Sequence, residues 1–415
     1  MFTSSYVQLD KKNKLSINYK NLYCINGEYY FFSINQTELP IVSLWNNQYL
    51  WRPKVKLFDN ENEIKKYTRN FENIDLATTC VLLWPHNIGH ALFDGFFGCF
   101  TALTKFNFYD KDFFFLCGSR PDYNLMCSNI IEKFSRRPIL DISTKKIKID
   151  NLIVGNGGCG NYVVNKECEV YGQKQFRSMS LFKERMLASY DLDPNKKVNK
   201  KINAIIINNK RFNKKDFESI NKTIDFYKNS KKIDLKFINY GDYKSFYEQM
   251  EMISDVDLHI SGPGTGICYM PFLKNGAVNI NLGHTWYHPS GYKIPSFMEQ
   301  RICSAADYVN TLYYDRYTYE DIEFEPLISL IEKSIDILNN NLKNDTNLNI
   351  DALVFNEYCN LYDKYEELCD YLTNTFTTWV EFFVNEHPET IKNFFDKDLL
   401  TKAKEKFKYP YYKIK

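Results

Sequence analysis

Leu258-His259-Ile260-Ser261-Gly262-Pro263-Gly264-Thr265-Gly266-Ile267 is the stretch on which the fold turns. A short apolar run ends in clustered glycines and gives way to residues 267–273, which read as a short helix. Glycine allows a tight turn and a close backbone approach, and a helix start adds partial positive charge. Strand, glycine turn and helix therefore suit an anion, a diphosphate best of all. A tight connection with no ligand would use the same glycines. Outward from this turn the rhythm is regular: strands at 202–207, 235–238, 258–260 and 277–282, with helices at 214–228 and 245–254 between them. Strands alternating with helices predict a doubly wound parallel sheet, in which ligands bind at the carboxyl ends of strands. Arg211, in Asn209-Lys210-Arg211-Phe212-Asn213, follows the first of these strands and stands where it can reach the same crevice. The turn comes on late strands, so it is not the dinucleotide fingerprint, and no phosphate-loop G-x-x-x-x-G-K-[ST] is present.

Upstream, residues 1–60 alternate polar with aromatic and β-branched side chains around an Asn26-Gly27 turn and read as strand-rich. Residues 81–84 read as a short buried strand, 88–104 as a helix, 113–117 and 152–154 as strands and 130–134 as a helix. The polar run Asp191 to Lys197, with Pro194, marks a boundary. Three regions are expected: an N-terminal α/β domain over 1–195, a Rossmann-like domain over 196–315, and a helical segment over 316–415 packed across both. In the last, Phe355, Tyr358, Tyr362, Tyr365, Cys369, Leu372, Phe376 and Trp379 form a helical stripe. Packing onto the domains explains such a stripe, and a homodimer seam is the alternative.

At 415 residues the chain exceeds what one hydrophobic core supports. The 53 basic and 51 acidic residues leave a net charge of +2, without the basic stripe that nucleic-acid binding needs. The 11 cysteines show neither C-x-x-C pairs nor zinc spacing and read as free thiols. No apolar run reaches membrane-spanning length and the N-terminus opens no signal-like segment, so a cytoplasmic protein is expected.

A second constellation is His86-Asn87-Ile88-Gly89-His90-Ala91-Leu92-Phe93-Asp94. On a helix His90 and Asp94 share a face, and a carboxylate beside an imidazole fixes its tautomer and raises its basicity, as a general base requires. A capping or buried structural role would use the same residues. His86 and His90 have zinc spacing for two ligands with no third nearby, and no metal site is expected. Asp-x-Asp pairs at 110–112, 191–193, 255–257 and 396–398 could hold a metal, but Asp255 and Asp257 precede their strand, at the end opposite the glycine turn.

Taken in order, these segments resemble glycosyltransferase family 61. Its Asn-x-x-His-x-x-x-Asp motif is matched by Asn87, His90 and Asp94, and its arginine and asparagine after the first strand of the second half by Arg211 and Asn213. Its His-Gly-Ala-Gly-Leu-Thr motif, apolar helix and Gly-Ala-Val strand look like Ser261 to Gly266, Tyr269 to Leu273 and Gly276-Ala277-Val278. The likeness spans about residues 80–315. It departs at Ser261, where the family has histidine, at Thr265, where it has leucine, and near Asn281, where it has an acidic residue. The resemblance implies a GT-B fold of two facing Rossmann-like domains and an inverting, metal-independent transferase needing no cofactor. It would move a sugar from a nucleotide-sugar, UDP being the nucleotide expected, to a hydroxyl of a glycan or protein. His90, Asp94 and Asn87 would be catalytic. Lys210, Arg211, Asn213, Ser261, Gly262, Pro263, Gly264, Thr265 and Gly266 would bind the donor. A polysaccharide pyruvyl transferase and a catalytically degenerate glycan-binding scaffold are the alternatives.

Overall fold

The computed structural model describes residues 2–8, 16–44, 50–82, 87–117, 127–155, 177–262, 264–282, 285–287, 293–295, 302, 306, 308–314 and 321–341. His86, Pro263 and the stripe from Phe355 to Trp379 lie outside them. The chain divides into two compact units, Met1–Tyr190 and Asp191–Lys415. The cut falls at the start of the polar run that the sequence marks as a boundary.

In the first unit β1 (Ser5–Gln8), β2 (Ser16–Ile25) and β3 (Glu28–Ser33) are antiparallel neighbours, β1 and β3 both pairing with β2. Asn26 and Gly27 join β2 to β3 with φ of 52° and 83°. Positive φ at both positions is the two-residue hairpin turn that matches strand twist, and it forces the antiparallel pairing. A short ribbon follows, β4 (Val42–Ser43) with β5 (Leu50–Trp51), and then β6 (Lys54–Leu57), which pairs parallel with β3. On the other side of β2 lies β10 (Lys146–Gly155), followed by the parallel series β7 (Glu72–Thr78), β8 (Phe114–Cys117) and β9 (Leu140–Asp141). The sheet order is β6-β3-β2-β10-β7-β8-β9, with β1 also on β2.

This unit is therefore a mixed sheet, where the resemblance implies an all-parallel Rossmann-like one. The strand expected at 81–84 is also placed differently. The strand is β7, nine residues earlier at its start, and Val81 and Leu82 are not in a strand. Its Glu-Asn-Ile-Asp-Leu-Ala-Thr sequence hides the signal, because the pairing with β10 buries Ile74, Leu76 and Ala77 among polar neighbours. The helix expected at 88–104 forms, but its first part, His90–Phe96, is π-helical before the α-helix Phe97–Lys105. Phe96, Phe134 and Phe182 anchor the helical layer, with ring centroids 5.0 Å apart for Phe96–Phe134 and 4.9 Å for Phe134–Phe182.

The second unit is built on β11 (Ile202–Ile207), β12 (Ile233–Ile238), β13 (Leu258–Ser261), β14 (Val278–Asn281) and β17 (Asn310–Tyr313). A separate antiparallel ribbon, β15 (Thr285–Tyr287) with β16 (Lys293–Pro295), lies between β14 and β17 in sequence. The five main strands are all parallel, in the order β12-β11-β13-β14-β17. Ala204, Ile206, Leu258, Ile260, Val278, Ile280 and Leu312 share a core with the helix Lys214–Tyr227 and with the helix Phe324–Asn340. Leu327, Ile331, Ile335 and Leu338 of the latter lie one helical turn apart on its buried stripe. Residues 324–340 thus belong to the second unit's own core. The chain is a mixed α/β protein with parallel sheet strands, and no helix among the described residues is long and apolar enough to cross a membrane.

Candidate functional site

Numbered within the second unit, the strand order is 2-1-3-4-5. The chain leaves β11 toward one edge of the sheet and β13 toward the other, so the loops after these two neighbours part and open a crevice, the usual ligand site of such sheets. Both sequence-predicted donor segments lie there: 208–213 follows β11, and 262–266 follows β13.

Local hydrogen bonds shape the first loop. Phe212 N–H donates to Asn209 O at 2.9 Å, and Arg211 N–H donates to Asn209 Oδ1 at 3.0 Å. This turn folds the loop back across the neighbouring one. A β-carbon at Gly262 would lie 2.8 Å from Asn209 Nδ2, and one at Gly264 would lie 2.7 Å from Arg211 Nη1. Gly264 has φ of 110°, a backbone state that residues with a side chain rarely adopt. Glycine at 264 is thus required by its backbone, with the Arg211 guanidinium lying against it, and at 262 Asn209 and Phe212 leave little room for a side chain. The structure brings the Arg211 guanidinium directly onto the glycine turn, where the 3-10 helix Thr265–Phe272 begins. Gly266 is different, since its added β-carbon would make only ordinary contacts, 3.4 Å to Ile207 Cγ2 and 3.8 Å to Ser261 Cβ. Gly264→Ala is therefore expected to destabilise the fold by about 1–3 kcal/mol and displace Arg211, while Gly266→Ala stays close to wild type. Urea unfolding of both variants checks this, and equal effects would refute the assignment.

The remaining sequence-predicted residues divide by role. Lys210 and Thr265 are exposed at the crevice loops. Asn213 is the N-cap of the helix Lys214–Tyr227. Its Oδ1 accepts from Lys215 N and Asp216 N, Asp216 returns a bond to Asn213 N, and its Nδ2 donates to Asp321 Oδ1. That capping box gives Asn213 a structural task in this structure. Asn87 makes a single such bond, its Oδ1 accepting from Gly89 N at 3.0 Å just ahead of the π-helical segment. His90 and Asp94 both lie in the π-helical segment. Gly95 lets that segment pack closely, since a β-carbon there would collide with Leu82.

Ser261, the last residue of β13, is fully buried, and its Oγ has no hydrogen-bond partner among the described residues. It belongs to a polar row that sequence reading missed. His259, Ser261, Asn279, Asn281 and Thr311 occupy one face of the sheet and are almost completely buried, and the alternate residues face the apolar core. The signal was legible in Val278-Asn279-Ile280-Asn281. A strand covered on both faces is ordinarily apolar throughout, so regular polar alternation in one marks a special face.

Within that row His259 Nδ1 lies 2.8 Å from Asn279 Oδ1, and its Nε2 lies 3.4 Å from the Tyr240 hydroxyl. Tyr240 stacks on Tyr269 at 4.0 Å, and the Tyr269 hydroxyl donates to Gln249 Oε1 at 2.7 Å. A neutral imidazole fits these partners, with Nδ1–H donating to the amide oxygen and Nε2 accepting. Burial, only partly opposed by the Asn279 bond, lowers the His259 pKa from 6.5 to about 4. The unfolded chain therefore takes up a proton as pH falls through 6.5 while the folded chain stays neutral until about 4. Stability contributed by the neutral histidine is complete above 6.5 and is lost toward 4, about 3 kcal/mol in all at 1.36 kcal/mol per pH unit. Between pH 7 and 4.5 wild type is expected to lose about 2.5 kcal/mol more stability than His259→Gln. Parallel losses in the two proteins would refute it.

Among the described residues no group of three or more His, Cys, Asp or Glu is placed to hold a metal ion. No family model matches the chain, and no curated protein matches it. Among solved structures, a flavo di-iron protein variant from Thermotoga maritima is similar over 79% of this chain and 90% of its own, at 11% identity and a TM-score of 0.24, too slight a likeness to carry an argument.

Proposed function

We propose that the chain is an inverting glycosyltransferase of GT-B architecture that binds the diphosphate of a nucleotide-sugar in the crevice between the loops after β11 and β13. The observation that carries this is Arg211 lying across Gly264 at a helix start, at the point where the parallel strand order reverses. A helix start leaves backbone N–H groups unsatisfied and partially positive, and a guanidinium beside them adds a planar fork of donors. Both stabilise charge that grows on a departing diphosphate, so Arg211 fills the role a metal has in other transferases. In the transfer, an acceptor hydroxyl attacks the anomeric carbon from the face opposite the leaving group. The new C–O bond forms as the bond to the diphosphate breaks, and the configuration inverts. His90, oriented by Asp94, takes the hydroxyl proton, and the nucleoside diphosphate leaves toward Arg211. The acceptor is a hydroxyl of a glycan or protein.

Charge-assisted hydrogen bonds contribute about 1.5–3 kcal/mol, equivalent to roughly 10- to 150-fold in affinity. Arg211→Ala is therefore expected to weaken UDP and UDP-sugar binding by at least tenfold in calorimetry, with Arg211→Lys recovering part of the loss. Transfer should persist in EDTA. Unchanged affinity in Arg211→Ala removes the crevice from the reaction, and turnover lost to EDTA and restored by manganese replaces the mechanism with a metal-dependent one.

A further inference from the structure

The loop after β11 is fixed at both ends by the second unit itself. At its start Asn208 N–H donates to Ile238 O at 2.7 Å, which ties it to the end of β12. Further on, Phe212 sits in the unit's core with its ring centroid 6.1 Å from that of Phe217, and Asn213 enters the capping box of the next helix. Between these anchors Lys210 and Arg211 form the corner of a tight turn. Both bonds that close the turn end on Asn209. Its carbonyl accepts from Phe212 N–H at 2.9 Å, and its Oδ1 accepts from Arg211 N–H at 3.0 Å. The same side chain also meets the facing loop, since a β-carbon at Gly262 would lie 2.8 Å from Asn209 Nδ2.

The structure assigns Asn209 as a positioning residue: its side chain sets the turn that lays the Arg211 guanidinium across Gly264, the place proposed for the diphosphate. This rests on the nucleotide-sugar reading for the identity of the anion alone. Any residue supplies the backbone acceptor of such a turn, but Asn, Asp, Ser and Thr add a side-chain acceptor for the N–H two residues on. Asp would close the turn and bring a carboxylate beside the guanidinium, where it competes with the ligand anion. Ser and Thr make the same turn more weakly. Asn combines the stronger turn with no charge. A guanidinium already held in place has little freedom left to lose on binding, so more of its attraction for an anion is realised as affinity. Without the Asn209 bond, Arg211 keeps its charge and loses its aim.

Asn209→Ala and Asn209→Ser, alone and combined with Arg211→Ala, test this in the full chain. With UDP as the probe in calorimetry, Asn209→Ala should bind about three- to tenfold more weakly, the cost of ordering a long side chain on binding. Asn209→Ser should recover part of that loss. Added to Arg211→Ala, Asn209→Ala should cost nothing further, because it acts through the arginine. A general loosening of the crevice would weaken the double variant by the same factor as the single one, and that result overturns the proposal. Nitrogen relaxation of the Arg211 Nε–H group in ligand-free protein is the second readout. Its order parameter should fall to the flexible range, below about 0.6, in Asn209→Ala and rise again in Asn209→Ser. An Arg211 group equally rigid in wild type and Asn209→Ala overturns the proposal whatever UDP does. A wild type that leaves UDP unbound, with Arg211 released in Asn209→Ala, strikes the nucleotide reading and upholds the positioning role. Circular dichroism is the folding control. Should Asn209→Ala unfold, Asn209→Ser is read in its place, with the same losses expected on a smaller scale.

Discussion

On the proposed mechanism, His90→Ala is expected to slow sugar transfer on the order of 10²–10⁴-fold, the contribution of a positioned base, while donor affinity stays near wild type. His90 and Asp94 stand four residues apart in a single π-helical segment. Wide i→i+5 turns are rare and cluster at functional sites, because they re-aim side chains that a regular α-helix would space differently. The segment is held on both sides: Asn87 accepts a bond from Gly89 N just ahead of it, and the fully buried helix Phe97–Lys105 continues its end. Alanine is a good helix former at position 90, so the fold should survive and the loss should be chemical. Asp94→Asn sorts the roles. A modest slowing identifies Asp94 as the group that orients the imidazole, and a loss larger than that of His90→Ala makes the carboxylate the base. Transfer and donor affinity are to be measured on one preparation of each protein, with circular dichroism as the folding control. Near-wild-type transfer in both variants would make this segment structural and place the base elsewhere.

What the sequence shows and what it hides follow from how each element is stabilised. The second unit was legible because β11 is apolar at every position but Asn203 and is bounded by polar residues, and because Asn213 and Ser245 start their helices with side-chain caps that a sequence displays openly. The first unit was harder. β7 is half polar, and its strand state comes from pairing with β10, some seventy residues later in the chain. In the site, the glycine turn and Arg211 were legible as residue types, but their contact depends on Asn209 folding the first loop back, which no motif announces. Asn213 shows the reverse problem. An Asn followed three residues later by Asp ahead of a helix is a capping box on local grounds alone, and the structure uses it so. The same Asn would serve a ligand-binding pattern, and sequence does not separate the two uses.

Asp257→Ala is expected to lower stability by about 3–5 kcal/mol, the cost of leaving one member of a buried ion pair alone. Asp257 is fully buried just before β13 and accepts four hydrogen bonds: from Asn199 N at 3.2 Å, Asn199 Nδ2 at 3.0 Å, Asn203 N at 2.9 Å and Lys274 Nζ at 2.8 Å. Lys274 is itself buried, and its second carboxylate, Asp255 at 3.4 Å, is half exposed. One carboxylate thus ties the entry to β11, the foot of β13 and the turn before β14. Removing it leaves the buried ammonium with only the half-exposed Asp255 and deprives two backbone amides of their acceptor. Asp257→Asn should cost less, since the amide can still accept from the chain. Lys274→Met should cost less as well, because Asp257 keeps three N–H donors. The double variant Asp257→Asn with Lys274→Met should be more stable than the sum of the two single losses predicts, as charge neutrality is restored. The aspartate also belongs to the Asp-x-Asp pair at 255–257, so a metal-binding role predicts something else: loss of manganese-supported activity with little loss of stability. Saturation of Asp257 by four protein donors, at the end of the strand away from the glycine turn, favours the structural outcome. Urea unfolding of the four proteins, read beside UDP affinity of the folded fraction, separates the two. A destabilisation below about 1 kcal/mol in Asp257→Ala would mean that the pair contributes no more than a surface bridge.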